Sequence, residues 1–189
     1  MTQEPDPSSQ DPSLPFDVHL SFSGVKWPGT EDQIKDQTTK VAGITLAHIV
    51  PLVLGSAAPS DVSLELSFLF TDDSHIQDLN RNFRGKDSPT NVLSFPDTAI
   101  SLGNLEDARR FGDPLLVGDV ALALQTITRE ADEQKKSFSH HLTHLIVHGI
   151  LHLAGYDHLD DEEAEEMESL EIEILAKMSI DNPYKTDDS

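Results

Sequence analysis

His148-Gly-Ile-Leu-His152-Leu-Ala-Gly155-Tyr-Asp-His158 is the stretch on which the reading of this chain turns. On an α-helix, residues four apart lie one turn above each other on the same face, so His148 and His152 can converge on one ion. Gly155 stands where such a helix would stop, because glycine takes the left-handed conformation past a helix C-terminus without a Cβ penalty. A chain reversed there brings His158, three residues on, back beneath the ion as a third ligand. Neutral imidazole suits zinc, and nickel as well; one zinc ion is the expected cofactor. Three neutral ligands leave the metal its full charge and one open position, the arrangement of a hydrolytic site rather than a structural one.

Neighbouring residues qualify that picture. Asp157 is the candidate fourth ligand that would close the site; alternatively it orients a ligand histidine or serves as the general base. His144, one turn before His148 on nearly the same face, reads as a residue that supports the ligands or packs in the core. His140 and His141 read as surface residues. Leu151 and Leu153 give the site an apolar wall.

At 189 residues the chain fits one domain with a real core. The expected division is a disordered tail over residues 1–15, a single metallohydrolase domain over 16–180, and a flexible tail over 181–189. The absence of cysteine excludes disulfides, Cys-type zinc sites, iron–sulfur clusters and thiol catalysis. The first residues carry neither a positive cluster nor an apolar run, and no stretch approaches the ~18 uninterrupted apolar residues of a membrane span. A cytoplasmic protein without membrane attachment is the expectation. The net charge of −21 argues against broad, sequence-independent nucleic-acid binding, which rests on cations that neutralise phosphates. The acid is unevenly placed, however. From Asp157 to Ser189 there are thirteen acids against Lys177 and Lys185, whereas cations gather at Arg81, Arg84 and Lys86, at Arg109 and Arg110, and at Arg129, Lys135 and Lys136.

Working outward, Val18 to Phe22 and Val62 to Phe70 alternate as strands, and Val92 to Phe95 and Leu115 to Val120 add two more. Helices are predicted from Thr30 or Asp32 to about Leu54, with Pro51 as a possible bend, and over Ile76 to Asn82, capped by Asp72, Asp73 or Ser74. Three more follow, over Leu122 to Lys136, Ser139 to Leu153 with Ser139 as N-cap, and Asp160 to Met178. Gly55 to Pro59, Phe83 to Asn91 and Ile100 to Pro114 read as loops, the last an irregular excursion. The acidic last helix reads as a solvated face with Met167, Leu170 and Ile174 as its buried stripe. The sum is an α+β fold, a small mixed sheet with helices packed on it.

The spacing H-x3-H-x2-G-x2-H is also that of metzincin proteases, in which a glutamate follows the first histidine as general base. Here that residue is Gly149, so the proton acceptor of peptide hydrolysis is missing. Together with the acidic run after it, HGILHLAGYDH closely resembles the YbeY family of bacterial endoribonucleases. Leu79-Asn80, Phe83-Arg84-Gly85-Lys86-Asp87, Pro89 to Pro96 and Gly118-Asp119 carry the same resemblance, in order, over roughly residues 62 to 178.

The resemblance implies a zincin-like, metal-dependent hydrolase with His148, His152 and His158 as ligands. It implies a single-strand-specific endoribonuclease acting in 16S ribosomal RNA 3′-end maturation and ribosome quality control. Its partners would be ribosomal RNA and the small ribosomal subunit with its assembly factors, and not DNA. Arg84 falls on the arginine implicated in that family's catalysis. A guanidinium fork can hold the non-bridging oxygens of a phosphodiester as charge develops on them; the plain alternative is a loop arginine paired with Asp87. Lys86 is a candidate phosphate contact. Two rival readings share the ligands: a ribosome-assembly factor with a structural metal, and a zinc metallopeptidase-like hydrolase.

Overall fold

In the computed structural model, residues 14–55 and 61–185 are described. The expected N-terminal tail lies outside them except for Leu14 and Pro15, as do most of the Gly55–Pro59 loop and the last four residues. Leu14 is buried in the core.

Four strands form one mixed sheet: β1 (Phe16–Phe22), β2 (Leu64–Thr71), β3 (Val92–Pro96) and β4 (Leu115–Ala123), in the order β1-β2-β4-β3. β1 and β4 run parallel to β2, and β3 runs antiparallel to β4. Alternation along β2 sends Leu64, Leu66, Phe68 and Phe70 into the main core while Leu69 faces the other way. β4 keeps this phase through a bulge: Leu116 pairs with Glu65 and Gly118 with Leu66, which leaves Val117 as the extra residue. Val117, Val120 and Leu122 therefore all reach the same core although their spacing is uneven.

Helix α1 (Glu31–Leu54) begins with the capping box of Thr30 and Gln33 and runs through Pro51. By length and composition alone it could cross a bilayer, although Lys40, His48 and Pro51 interrupt its apolar run as the sequence shows. Nine of its residues are buried, Ile34, Val41, Leu46 and Ile49 among them, and they join the core with α5 (Phe138–Leu153). On the opposite face α2 (Asp73–Arg84) buries Ile76 against Leu93, Ala121 and Ala123.

Several boundaries differ from expectation for physical reasons. The excursion Ile100–Pro114 contains α3 (Leu102–Phe111), capped by the Ser101 side chain on Asn104 N at 3.2 Å. Leu105 is its one buried residue, too little for a helical period to register. Leu122 and Ala123 are strand, paired with Phe70 and Thr71, so α4 (Leu124–Glu133) starts where β4 ends. The cap of α5 is Ser137, which accepts from His140 N at 3.1 Å, rather than Ser139. Asp160 is the N-cap of α6 (Asp161–Lys177), and its carboxylate accepts from Glu162 N and Glu163 N.

Candidate metal centre

α5 is buried around most of its circumference, and it lies across β3 and β4 with Gly149 turned onto the sheet. A Cβ at position 149 would stand 2.8 Å from Val120 Cγ1. The helix backbone therefore approaches the sheet as closely as it does only because no side chain intervenes. Ser94 Oγ on β3 donates to the Gly149 carbonyl at 3.2 Å, which fixes the ligand helix against the strand.

His148 and His152 rise from α5 one turn apart, with their Nε2 atoms 3.0 Å from each other. Two nitrogens bound to one tetrahedral zinc at the usual bond lengths stand roughly 3.3 Å apart, so the pair is set nearly as an ion requires. The helix ends at Ala154, and Gly155 follows at φ +96°, turning the chain as the sequence predicted. His158 comes back to the pair with its ring centroid 5.1 Å from His152 and 5.7 Å from His148. One ligand atom from each of the three histidines lies within 4.8 Å of the others. The donor set is all imidazole, and it can hold a metal.

His148 is supplied with a partner for its other nitrogen. His148 Nδ1 faces the Glu171 carboxylate at 2.7 Å, which leaves Nε2 and its lone pair for the centre. Glu171 comes from α6 and is fully buried; its second oxygen takes His144 Nε2 at 3.2 Å and the Tyr184 hydroxyl. Burial works to raise the carboxyl pKa, but these hydrogen bonds, first from His144 and His148, hold it down to about 2. Burial, its neighbour Glu171 and more distant acid push the Tyr184 phenol well above its usual range. His152 is pulled down to about 4, first by burial and then by His148 and His158, against the opposing pull of Asp157 and the Tyr156 backbone. It is thus neutral, the form a metal needs.

Asp157 is not among the converging ligand atoms. Its Oδ1 accepts from the His158 backbone N–H at 2.9 Å and stands 3.8 Å from His152 Nδ1, a position that pins the returning loop. His144 supports Glu171 from the adjoining turn. His141 is buried, contrary to the surface reading, with Nε2 on Glu130 at 2.9 Å.

Arg84 is the last residue of α2 rather than part of a loop, and Gly85 behind it takes the left-handed conformation. Its Nη2 donates to the Ser94 carbonyl at 2.9 Å. Asp87 pairs with Arg81 and Gln77 instead, so Arg84 keeps no carboxylate partner among the described residues. Arg84 and Lys86 line a cavity of about 720 Å³ together with His148, His152 and His158. Ser94 thus touches both Arg84 and the ligand helix.

The reading of the sequence missed Glu171 and Tyr184. For Glu171 a signal existed: it lies four residues after Met167 and four before Leu175, on the buried stripe of α6. Tyr184 falls in the stretch expected as a tail, and nothing local marks it; residues there are tied by Lys136 Nζ, which donates to the Pro183 carbonyl at 2.7 Å.

Residues 31–179 match the family model described as Endoribonuclease YbeY. An Endoribonuclease YbeY of Sinorhizobium fredii is 43% identical over 170 residues, covering 89% of this chain and 92% of the relative. One of Chelativorans sp. is 53% identical over 136 residues, 70% of this chain and 78% of the relative. One of Rhodopseudomonas palustris is 42% identical over 187 residues, 97% and 94% respectively. A Thermotoga maritima protein solved in solution aligns with a TM-score of 0.47 at 22% identity, over 91% of this chain and 98% of that one.

Proposed function

The chain belongs to the YbeY endoribonuclease family, and from that premise we propose that it hydrolyses phosphodiester bonds in single-stranded ribosomal RNA, with one zinc ion held by His148, His152 and His158. The observation that carries this reading is that Arg84 and the three histidines line one cavity. The fold would then be zincin-like in the sense of its helical ligand pair, glycine stop and returning histidine. Its place would be the cytoplasm, in 16S ribosomal RNA 3′-end maturation and ribosome quality control, alongside the small subunit and its assembly factors.

When bound, zinc supplies Lewis acidity toward the phosphoryl oxygen and the attacking water. The protein's own part is positional. Arg84, held at one end of its fork by the Ser94 carbonyl, turns its remaining N–H groups to non-bridging oxygens, where charge grows in the transition state. Lys86 adds a less directional charge on a neighbouring phosphate. Glu171 fixes the tautomer and ring plane of His148, and Asp157 holds His158 in reach.

Two observations weigh against the rival readings. The contact of Gly149 with Val120 leaves no room for the glutamate that a metzincin-type peptidase uses. A structural metal would ordinarily take a fourth protein ligand, and no carboxylate joins the three histidines among the described residues.

The test is Arg84→Ala beside His152→Ala, with metal content and cleavage of a single-stranded ribosomal RNA fragment measured on each. Arg84→Ala should keep its metal and fold while losing about two to three orders of magnitude in rate; His152→Ala should lose both metal and cleavage. An Arg84→Ala chain that cuts RNA at the parent rate, or a parent that cuts casein and spares RNA, overturns the proposal.

A further inference from the structure

A second cavity, of about 630 Å³, opens beside the first. His148, Asn91 and Val92 line both, so the two meet along a ligand histidine. Lys135 and Lys136 come to it from the connection between α4 and α5, and Lys185 from the segment that follows α6. Lys136 ties these segments together, since its Nζ donates to Gln134 Oε1 and to the Pro183 carbonyl. Lys135 and Lys185 are exposed, and among the described residues neither forms an ion pair. Arg81, Arg109 and Arg129, by contrast, all face aspartates.

Two carboxylates also line the cavity. Glu130 is already held by His141 Nε2 and Asn91 Nδ2, each at 2.9 Å, and Glu133 is exposed. In the wall Tyr184 is anchored by its hydroxyl to Glu171 and set edge-on to His144 at 5.7 Å, yet 41% of it remains exposed. Cations along a groove with an aromatic ring in its wall are the means by which proteins hold single-stranded nucleic acid without reading sequence. On a chain of net charge −21, Arg84 and Lys86 at the first cavity and Lys135, Lys136 and Lys185 at the second place cations at both of two adjoining cavities.

We propose that this second cavity is a binding subsite for the single-stranded RNA next to the bond being cut, with Lys135 and Lys185 on its phosphates and Tyr184 against a base. The proposal rests on the ribonuclease reading and extends it. The test sets the metal-loaded chain and its Lys135→Ala/Lys185→Ala variant against a dinucleotide and a single strand of about twelve nucleotides, within the length such grooves span. The parent should favour the longer strand in kcat/KM, and the variant should lose about tenfold of that preference, all of it in KM. Binding of the same strand to metal-free protein should show a salt slope shallower by about 1.4 in the variant, the value for two lost phosphate contacts on a single strand. An unchanged preference and slope, or equal losses on both substrates, overturns the subsite. A parent that binds RNA with the lysine-dependent slope but cuts neither substrate supports the subsite and defeats the ribonuclease reading instead.

Discussion

His148 and His158 offer nitrogens to the same point, but they are held in opposite ways. His148 stands mid-helix with a side chain only 23% exposed, and its Nδ1 is bonded to a carboxylate that is fully buried. His158 is exposed, it follows a glycine turn, and its nearest anchor is a backbone N–H bond to Asp157. One ligand is set by the packing of three elements, the other by a few residues of local chain. The difference teaches that the site has a rigid half made by the core and a compliant half that a metal would draw in.

Removing either ring should break the site to a similar degree while separating the two halves in stability. Both His148→Ala and His158→Ala should weaken zinc retention in chelator competition by about two to three orders of magnitude, one ligand's share of a typical binding free energy. Only His148→Ala should also destabilise the metal-free chain, by about 1–3 kcal/mol in denaturant unfolding, because Glu171 Oε1, fully buried, then loses its hydrogen-bond partner. Equal stability of the two metal-free variants would dissolve the contrast.

The next effect is smaller. Glu171→Gln keeps the shape and an acceptor but loses the charge facing His148, and should cost about 10–100-fold in zinc affinity. Asp157→Asn acts on the compliant half, where its amide oxygen can still take the His158 N–H, and should cost under about tenfold. A reversed order would mean that the loop, not the core, sets the affinity.

Acid sharpens the same comparison in the metal-free chain. The folded pKa of His152 lies below its ordinary 6.5, at about 4, so the unfolded chain binds this proton first. Stability is full above pH 6.5 and falls as pH drops to about 4. Glu171, depressed from 4.5 to about 2, adds a second loss over that lower window. Thermal melts across pH 7 to 3 should show both declines, and His152→Gln should remove the upper one alone.

The compliant half was the more legible one. His152, Gly155 and His158 lie within seven consecutive residues, so helix period and glycine conformation suffice to bring them together. The mixed sheet was legible above all from alternation in β1 and β2. What stayed hidden depends on distant contacts. Glu171 is one acid in a run of acids, and only the placement of α6 against α5 buries it. His141 looks like surface until Glu130 on α4 comes to meet it. α3 has one buried anchor, and the β4 bulge at Val117 follows from pairing with β2, which no local pattern announces. Arg84 was singled out through likeness; its release from Asp87 depends on Arg81 taking that carboxylate.

All three imidazoles come from an eleven-residue stretch, and this compactness bears on how the polypeptide matures. A cation gripping His148, His152 and His158 closes only a small ring of chain, and closing so short a loop removes little freedom from the unfolded ensemble. The burden of assembling sheet and helices falls on the apolar interior, from Leu66 and Phe68 to Ile146 and Ile150. Newly made chains can therefore reach their shape first and collect the ion afterwards, and starvation for metal should yield intact, idle molecules rather than aggregates.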